Sequence, residues 1–408
     1  MGIGIKRLLE AECQGRDKRV GFRNVTLKLM EAIKTGKLPY RKVSFKEMAI
    51  AFLGQQWYDN LRPDQGGNDF VRSMQVQEAG SVDAIGTTAF SNITGQVIYT
   101  AVHDGYQNEE FIGEKLVTIR PTKLSGERIP GHQSISDEAL EVKEGMPFPA
   151  TGFGESFQDL PITKKYGMLL RLTKEAIFFD KTGRLLDDAL DLGFRLGMRR
   201  EKEILSVVIG GTNNYNWRNL TPNTYLAGVL TPGLYINSLG SNELVDWKNI
   251  DTMKQLFQDI RNPDSGDPIL VGGFEIIVPP FKEWTTRNIL NATHIEESRV
   301  TGASAPFDEQ RRRSANPLPP MTMHTSQLFK DMLVSALGIT STQADKYWFM
   351  GNFKRAFTYQ ENWPISVMTA GEEHPQNFSH DIVRQWRASE RGSAAVWDPR
   401  YVTRSFDT

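Results

Sequence analysis

Glu372, Glu373 and His374, in TAGEEHPQNF, set two carboxylates and an imidazole side by side. Such a triplet could supply part of a metal site or move a proton. A metal centre needs three or four ligands converging from separate turns, and nothing in the chain supplies the rest. A glycosidase pair needs two carboxylates facing each other across a substrate, which neighbouring glutamates do not do. A solvated turn is the simpler reading. The six histidines (103, 132, 294, 324, 374, 380) are scattered. There is no GxxxxGK[ST] phosphate loop, no HExxH, no calcium loop and no GxSxG elbow. Asn92-Ile93-Thr94 and Asn291-Ala292-Thr293 fit a glycosylation pattern, but no secretion signal precedes them. Cys13 stands alone, which excludes an intrachain disulfide and a cysteine metal cluster. The residues argue for no enzyme and no cofactor.

The elements that would have to position a site are more informative. With 408 residues, 39% apolar and 24% charged, the chain can build two or three cores. A net charge of −1 argues against a dedicated nucleic-acid binder. MGIGIKRLLEAE lacks an apolar signal core, and no run approaches the roughly 20 apolar residues of a membrane span. The expectation is a soluble, intracellular product with no membrane partner.

Residues 1–80 carry a basic bias: twelve Lys/Arg against five Asp/Glu between positions 1 and 48. IKRLLEAE, RNVTLKLMEAIKTGK and SFKEMAIAFLGQQWYDNL read as short amphipathic helices, the second ended by Gly36 and the third capped by Ser44. Residues 81–125, rich in small and β-branched types, read as an extended arm with a first strand. Residues 126–161 hold so many Gly and Pro that they read as a long excursion with short strand pieces such as ALEVKEG. From Ile162 to Thr173 the pattern alternates, with Ile162, Lys164, Tyr166, Met168, Leu170 and Leu172 on one face. It then switches to helical spacing, and residues 184–209 predict one helix roughly 40 Å long. Asp191 and Arg195 form an acid-first i,i+4 pair on its wet side, where Arg199 and Glu203 stand at the same spacing. Gly193 and Gly197 each cost the helix about 1 kcal/mol of propensity, which close packing of another backbone would offset. Downstream, Asp246 caps a helix with Trp247, Ile250, Met253, Phe257 and Ile260 on one stripe. FEIIVPP reads as a buried strand, FKEWTTRNILN as a helix, QRRRSANPLPPM as a loop, and SQLFKDMLVSALG as a helix closed by Gly338. YWFMGNFKRAFTYQ, ISVMT, DIVRQWRAS and SAAVWDPRYVTRS read mostly as strands.

In this order the pieces resemble the major capsid protein of tailed bacteriophages, with the Hong Kong 97-type fold, over roughly residues 85–408. DLPITKKYGMLLRLTKEAIFFD followed by RLLDDALDLGFRLGMRREKEILSVVIGG resembles the strand returning from that family's extended loop and its spine helix. Gly351-Asn352-Phe353, Asn377-Phe378, Glu390-Arg391 and Asp398-Pro399-Arg400-Tyr401 resemble the family's closing sheet.

The resemblance implies an α+β chain divided into a basic helical segment (1–80), an arm and first strand (81–125), an extended loop with its strands (126–173), a spine helix and connection (174–245), an axial domain (246–345) and a closing peripheral-domain sheet (346–408). It implies a coat protein that self-assembles through hexamers and pentamers into an icosahedral shell around double-stranded DNA. Portal, scaffold and decoration proteins are the implied partners, and the virion capsid, assembled in the host bacterial cytoplasm, is the implied location. Subunit contacts are expected from Glu138, Glu141, Lys143 and Glu144 at the loop tip (138–146), and from Lys164, Lys165, Asp381, Arg384 and Arg391. Gly193 and Gly197 are expected as the close-packing face of the spine helix. Some relatives chain their subunits through a lysine–asparagine isopeptide; here that asparagine position aligns with Asp381. The alternatives are an encapsulin-like cargo compartment and an oligomeric α/β enzyme without a recognised motif.

Overall fold

The computed structural model describes residues 18–35, 37, 39, 43–53, 82–108, 110–134, 142, 153–173, 175, 179, 182–211, 223–227, 235–261, 268–300, 309–370 and 382–407. The chain divides into two compact units. Unit 1 takes residues 1–109, 165–199 and 363–391; unit 2 takes 110–164, 200–362 and 392–408. The longest element among the described residues is Thr182–Ile209, 28 residues, about 42 Å long.

Unit 1 is mainly helical. α1 (Lys18–Lys34) and α2 (Phe45–Leu53) lie along α3 (Val82–Tyr106). The Ser44 hydroxyl accepts from the Glu47 amide at 3.3 Å and caps α2, as the sequence suggests. α3 corrects the expectation of an extended arm at 81–125. Its Ile93, Thr94, Val97, Ile98, Ala101, Val102 and Tyr106 are buried in a run of helical spacing. The α1 and α2 residues Val25, Leu29, Ile33, Phe45, Met48 and Phe52 share one core with α3. That core also takes in Leu185, Leu186, Ala189, Leu192 and Leu196 of the long helix, Leu170 and Leu172 of β4 (Lys164–Thr173), and Trp386 and Ala388. Helices α1 and α2 are therefore a layer of this unit. The first expected helix, IKRLLEAE, lies outside the described residues.

Unit 2 carries the five-stranded sheet and two ribbons, and the first strand of the four-stranded sheet. α4 (Gly113–Leu116) leads into β1 (Thr118–Pro121), which pairs in parallel with β11 (Phe357–Thr369) in the register Thr118↔Thr358. With β12 (Ile382–Val396) the strand order is β1-β11-β12-β4. A second sheet has the order β5-β13-β10-β6-β9, from Ser238–Leu239, Val402–Ser405, Trp348–Gly351, Glu275–Val278 and Thr322–Thr325. Ile276, Ile277 and Val278 are fully buried, the continuous apolar run of a strand covered on both faces.

Numbering the long helix α5, the helices that follow are α6 (Trp247–Asp259), α7 (Pro280–Asn291), α8 (Gln327–Leu337), α9 (Ser341–Ala344) and α10 (Phe353–Ala356). Asp246 caps α6 in a capping box with Asn249, and Ile250, Met253, Phe257 and Ile260 are buried. Gly338 ends α8 at φ +67°, donating its N–H to the Val334 carbonyl at 3.1 Å. The buried Asn237 ties the second sheet together. Its Oδ1 accepts from the Leu226 amide at 2.7 Å, and its Nδ2 reaches the carbonyls of Thr224, Pro399 and Val402.

Two antiparallel ribbons stand apart from these sheets. β2 (Arg128–Ser134) pairs with β3 (Phe153–Asp159), and β7 (His294–Val300) pairs with β8 (Glu309–Ala315). β8 corrects the reading of QRRRSANPLPPM as a loop: its first residues extend the chain beside β7, and the turn residues come only afterwards.

Candidate assembly surfaces

The first ribbon has a built root. Arg128 Nε and Nη2 donate to the two Asp159 carboxylate oxygens at 2.6 and 3.1 Å. Asn362 Nδ2 donates to the Thr122 and Leu124 carbonyls at 3.0 and 2.9 Å, and buried Gln158 donates to the Val396 carbonyl. Thr163 bonds Ser125 through both its amide and its hydroxyl. A cavity of about 400 Å³ opens beside this root, lined by Arg120, Lys123, Glu127, Leu160 and Gln360 among others. The candidate residues Glu138, Glu141, Lys143 and Glu144 belong to residues 135–152, which join β2 to β3, and lie outside the described residues. The same holds for Asp381 and for the Glu372, Glu373 and His374 triplet.

Two of the remaining candidates come together. Lys165 Nζ stands 5.9 Å from the Trp363 ring centroid, and the Arg391 guanidinium stands 5.5 Å from it. Trp363 is 36% exposed, so this aromatic–cation group faces solvent. Lys164 is exposed on β4, and Arg384 is half-buried on β12. The sequence reading missed Trp363.

The long helix is held by a crossing at glycines. A methyl group built on Gly193 would overlap the Val102 carbonyl oxygen and stand 3.0 Å from the Tyr106 amide nitrogen. One on Gly105 would overlap the Leu190 carbonyl and stand 3.1 Å from the Phe194 amide nitrogen. The backbones of α3 and α5 therefore touch through two reciprocal glycines. Gly197 is also buried.

Further along, the helix carries a polar group that the sequence reading missed. Arg200, 5% exposed, pairs with Glu114 at 2.9 Å, lies 4.0 Å from Glu361, and covers the Tyr359 ring at 4.4 Å. Glu201 is buried and accepts from the Ile112 and Gly113 amides at 3.0 and 2.8 Å. Burial pushes its carboxyl above the usual range, against the downward pull of those two amide bonds. Glu203 accepts from the Ser393 hydroxyl at 3.1 Å and so turns inward, correcting its expected place on the wet side. Arg199 lies over the Tyr166 ring at 3.3 Å, while Asp191 and Arg195 form the expected exposed pair at 2.7 Å. The signal was available in the spacing. Positions 196/197, 200/201, 204/205 and 208/209 form one buried double stripe, and Arg200-Glu201 interrupts it with charge.

Chemistry beyond packing has little to stand on among the described residues. Burial lowers the His324 imidazole below its ordinary value despite Glu275 at 3.1 Å. No group of three or more His, Cys, Asp or Glu among the described residues is placed to hold a metal ion. No described helix is long and apolar enough to cross a membrane.

Comparison with known proteins bears on the same elements. No curated protein matches the chain. Among solved structures, the capsid of cyanophage Pam1 is similar at 13% identity and a TM-score of 0.43, over 74% of this chain and 92% of that one. Gordonia phage Cozz gives 14% identity and 0.42, over 73% and 86%. The capsid of cyanophage P-SCSP1u gives 9% and 0.43, over 72% and 86%. A family model described as phage capsid protein matches residues 160–405. That span is more than half of the chain and runs from the end of the first ribbon, through the long helix, to the last strand; the chain belongs to the phage capsid protein family.

Proposed function

We propose that this chain is the major coat subunit of a tailed phage, assembling through hexamers and pentamers into an icosahedral shell around double-stranded DNA. The observation that carries the reading is the pair of two-stranded ribbons, each of which pairs with no further strand among the described residues. An isolated two-stranded ribbon is marginal in water. Such a device becomes stable when another copy covers it, and a chain with two of them is suited to a lattice. Single contacts of about 4 kcal/mol, near millimolar, suffice when several close by symmetry.

In this reading the first ribbon is the extended loop. Glu138, Glu141, Lys143 and Glu144 at its tip meet a neighbouring subunit. Lys164, Lys165, Arg384 and Arg391 serve the same purpose, with Trp363 added to them. Residues 246–345 form the axial domain. The role is structural and not enzymatic. Portal, scaffold and decoration proteins and non-specifically held DNA are the expected partners, and assembly takes place in the host cytoplasm. The basic surplus of residues 1–48 suits a position facing DNA.

Electron microscopy of the purified chain and of a variant lacking residues 138–146 tests the proposal. The intact chain should give angular shells. The deletion should melt cooperatively within about 3 °C of the parent yet give no shells. Compact oligomers from the intact chain, or a deletion that still closes shells, would overturn it.

A further inference from the structure

Within unit 1, one face of the four-stranded sheet is cationic. Along β4, Tyr166, Leu170 and Leu172 turn to the core, which leaves Lys165, Gly167, Leu169 and Arg171 on the other side. Along β12, Trp386 and Ala388 turn to the same core, which leaves Gln385, Arg387, Ser389 and Arg391 opposite. The two sets share a side, because a methyl group built on Gly167 would stand 3.0 Å from Ser389 Cβ. β11 adds to this face. Arg387 Nη2 donates to Met368 Sδ at 3.2 Å, and Trp363 has Lys165 and Arg391 beside its ring. The outward positions of β4 and β12 thus hold four cations and no carboxylate, in a chain whose net charge is −1. Lys165, Arg171 and Arg387 are exposed, and Leu169 and Met368 are exposed among them at 45% and 55%.

One acidic stretch of the chain carries the complementary mixture. Residues 137–144, DEALEVKE, hold four carboxylates against one lysine, with Leu140 and Val142 among them. Glu138, Leu140, Val142 and Glu144 stand at every second position. Glu138 and Glu144 are six positions apart, as Lys165 and Arg171 are on β4. The other dense acidic stretches, at 109–114 and 187–191, include carboxylates that already pair with arginines: Glu114 with Arg200 at 2.9 Å and Asp191 with Arg195 at 2.7 Å.

We infer that residues 137–144 of one copy dock on the cationic face of β4 and β12 of a second copy. Their carboxylates meet Lys165, Arg171 and Arg387, and Leu140 and Val142 cover Leu169 and Met368. This rests on the coat reading above and names what the tip of the first ribbon meets. A nucleic-acid backbone would satisfy the cations but leave Leu169 and Met368 in water, whereas a segment that mixes carboxylates with aliphatic side chains covers both. Exposed ion pairs are individually weak, so their part is to select: opposite signs bring these two surfaces together, and like signs keep each from itself. The contact joins two different surfaces and generates a ring when the rotation closes.

Two full-length variants reverse the two surfaces separately. The face variant carries Lys165→Glu, Arg171→Glu and Arg387→Glu; the tip variant carries Glu138→Lys, Glu141→Lys and Glu144→Lys. Assemblies larger than the single chain are measured by sedimentation at low salt. Each variant alone should form them at least about tenfold less than the parent, because like charge then meets like. Mixed one to one, the two should recover assembly, since the acidic tip of the face variant fits the basic face of the tip variant, and the reversed surfaces fit each other. A chain with all six reversals should assemble by itself. Recovery in that chain but not in the mixture would mark a contact within one chain and overturns the inference. So does a face variant that assembles as the parent does, whether or not it still retains nucleic acid. If a reversal melts below the parent, Lys165→Gln with Arg387→Gln replaces it. That neutral pair should cost assembly in the parent and nothing further in a chain already carrying Glu138→Gln and Glu144→Gln; additive losses overturn the inference. A parent chain that never associates sinks the coat reading together with this contact; a parent that assembles alongside equally competent variants sinks this contact alone.

Discussion

Glu201 is the residue whose burial has a measurable consequence. Its carboxyl, held at the amides of Ile112 and Gly113, is raised above the 4.5 of a free glutamate chiefly by burial, with nearby Glu114 adding to the rise and Arg200 opposing it. A carboxyl raised in the folded state binds its proton more tightly folded than unfolded. Its contribution to stability therefore grows as pH falls from neutrality through the raised value, and is complete below 4.5, the unfolded value. In Glu201→Gln this dependence disappears while the altered amide contacts shift stability by a constant. The stability of the parent minus that of the variant, from denaturant melts between pH 7 and pH 4, should rise toward acid. A flat slope would place Glu201 in water, and an opposite one would show that the amides and Arg200 outweigh burial. At this scale the sequence was half legible. Gly193 could be picked out because a glycine inside a strong helix pattern needs a packing reason. Arg200 and Glu201 were passed over because charge on a helix is ordinarily a solvated face, and only the register of their neighbours marks them as buried. Trp363 between Lys165 and Arg391 depends on strand adjacency, which no local pattern encodes.

At the scale of elements, amphipathic patterns were readable and uniformly covered ones were not. The long helix, α6 and α8 each show one apolar stripe, and α6 and α8 were found with their caps, Asp246 and Gly338. α3 carries small and β-branched residues around its whole circumference, the composition of a helix wrapped on several sides, and that composition also suits an extended arm. Its covers are α1 and α2 on one side and the long helix, through Gly105 and Gly193, on another. This arrangement makes a prediction about residues 1–53. Removing them should uncover Val97, Ile98, Ala101 and their neighbours while deleting Val25, Leu29, Ile33, Phe45, Met48 and Phe52 from the core. At about 1.5–3 kcal/mol per large buried side chain, the loss exceeds what a unit of this size holds in reserve. The truncated chain should lose the cooperative melt of unit 1 and bind a hydrophobic dye. A truncation that melts as the parent does would make these helices dispensable to the fold of the unit.

For the whole molecule, the question is what keeps the shell closed. Relatives that weld their subunits use an asparagine amide, whose ammonia can leave when a lysine amine attacks and a carboxylate assists. By the resemblance read at Asn377-Phe378, that position is expected at Asp381 in this chain. A free aspartate has a pKa near 3.9 and is ionised at neutral pH. Its two equivalent oxygens repel a nucleophile, and neither departs without activation. The same charge favours a reversible ion pair with an arginine, screened by salt where it is exposed. A shell of this chain should then be held by non-covalent contacts: the two ribbons, the aromatic–cation group at Trp363, and any accessory protein. Mature particles boiled in detergent and run on a denaturing gel should give one band at 46.1 kDa. Ladders of linked subunits, or material too large to enter the gel, would show that a covalent weld forms without the asparagine and would overturn the assignment of Asp381.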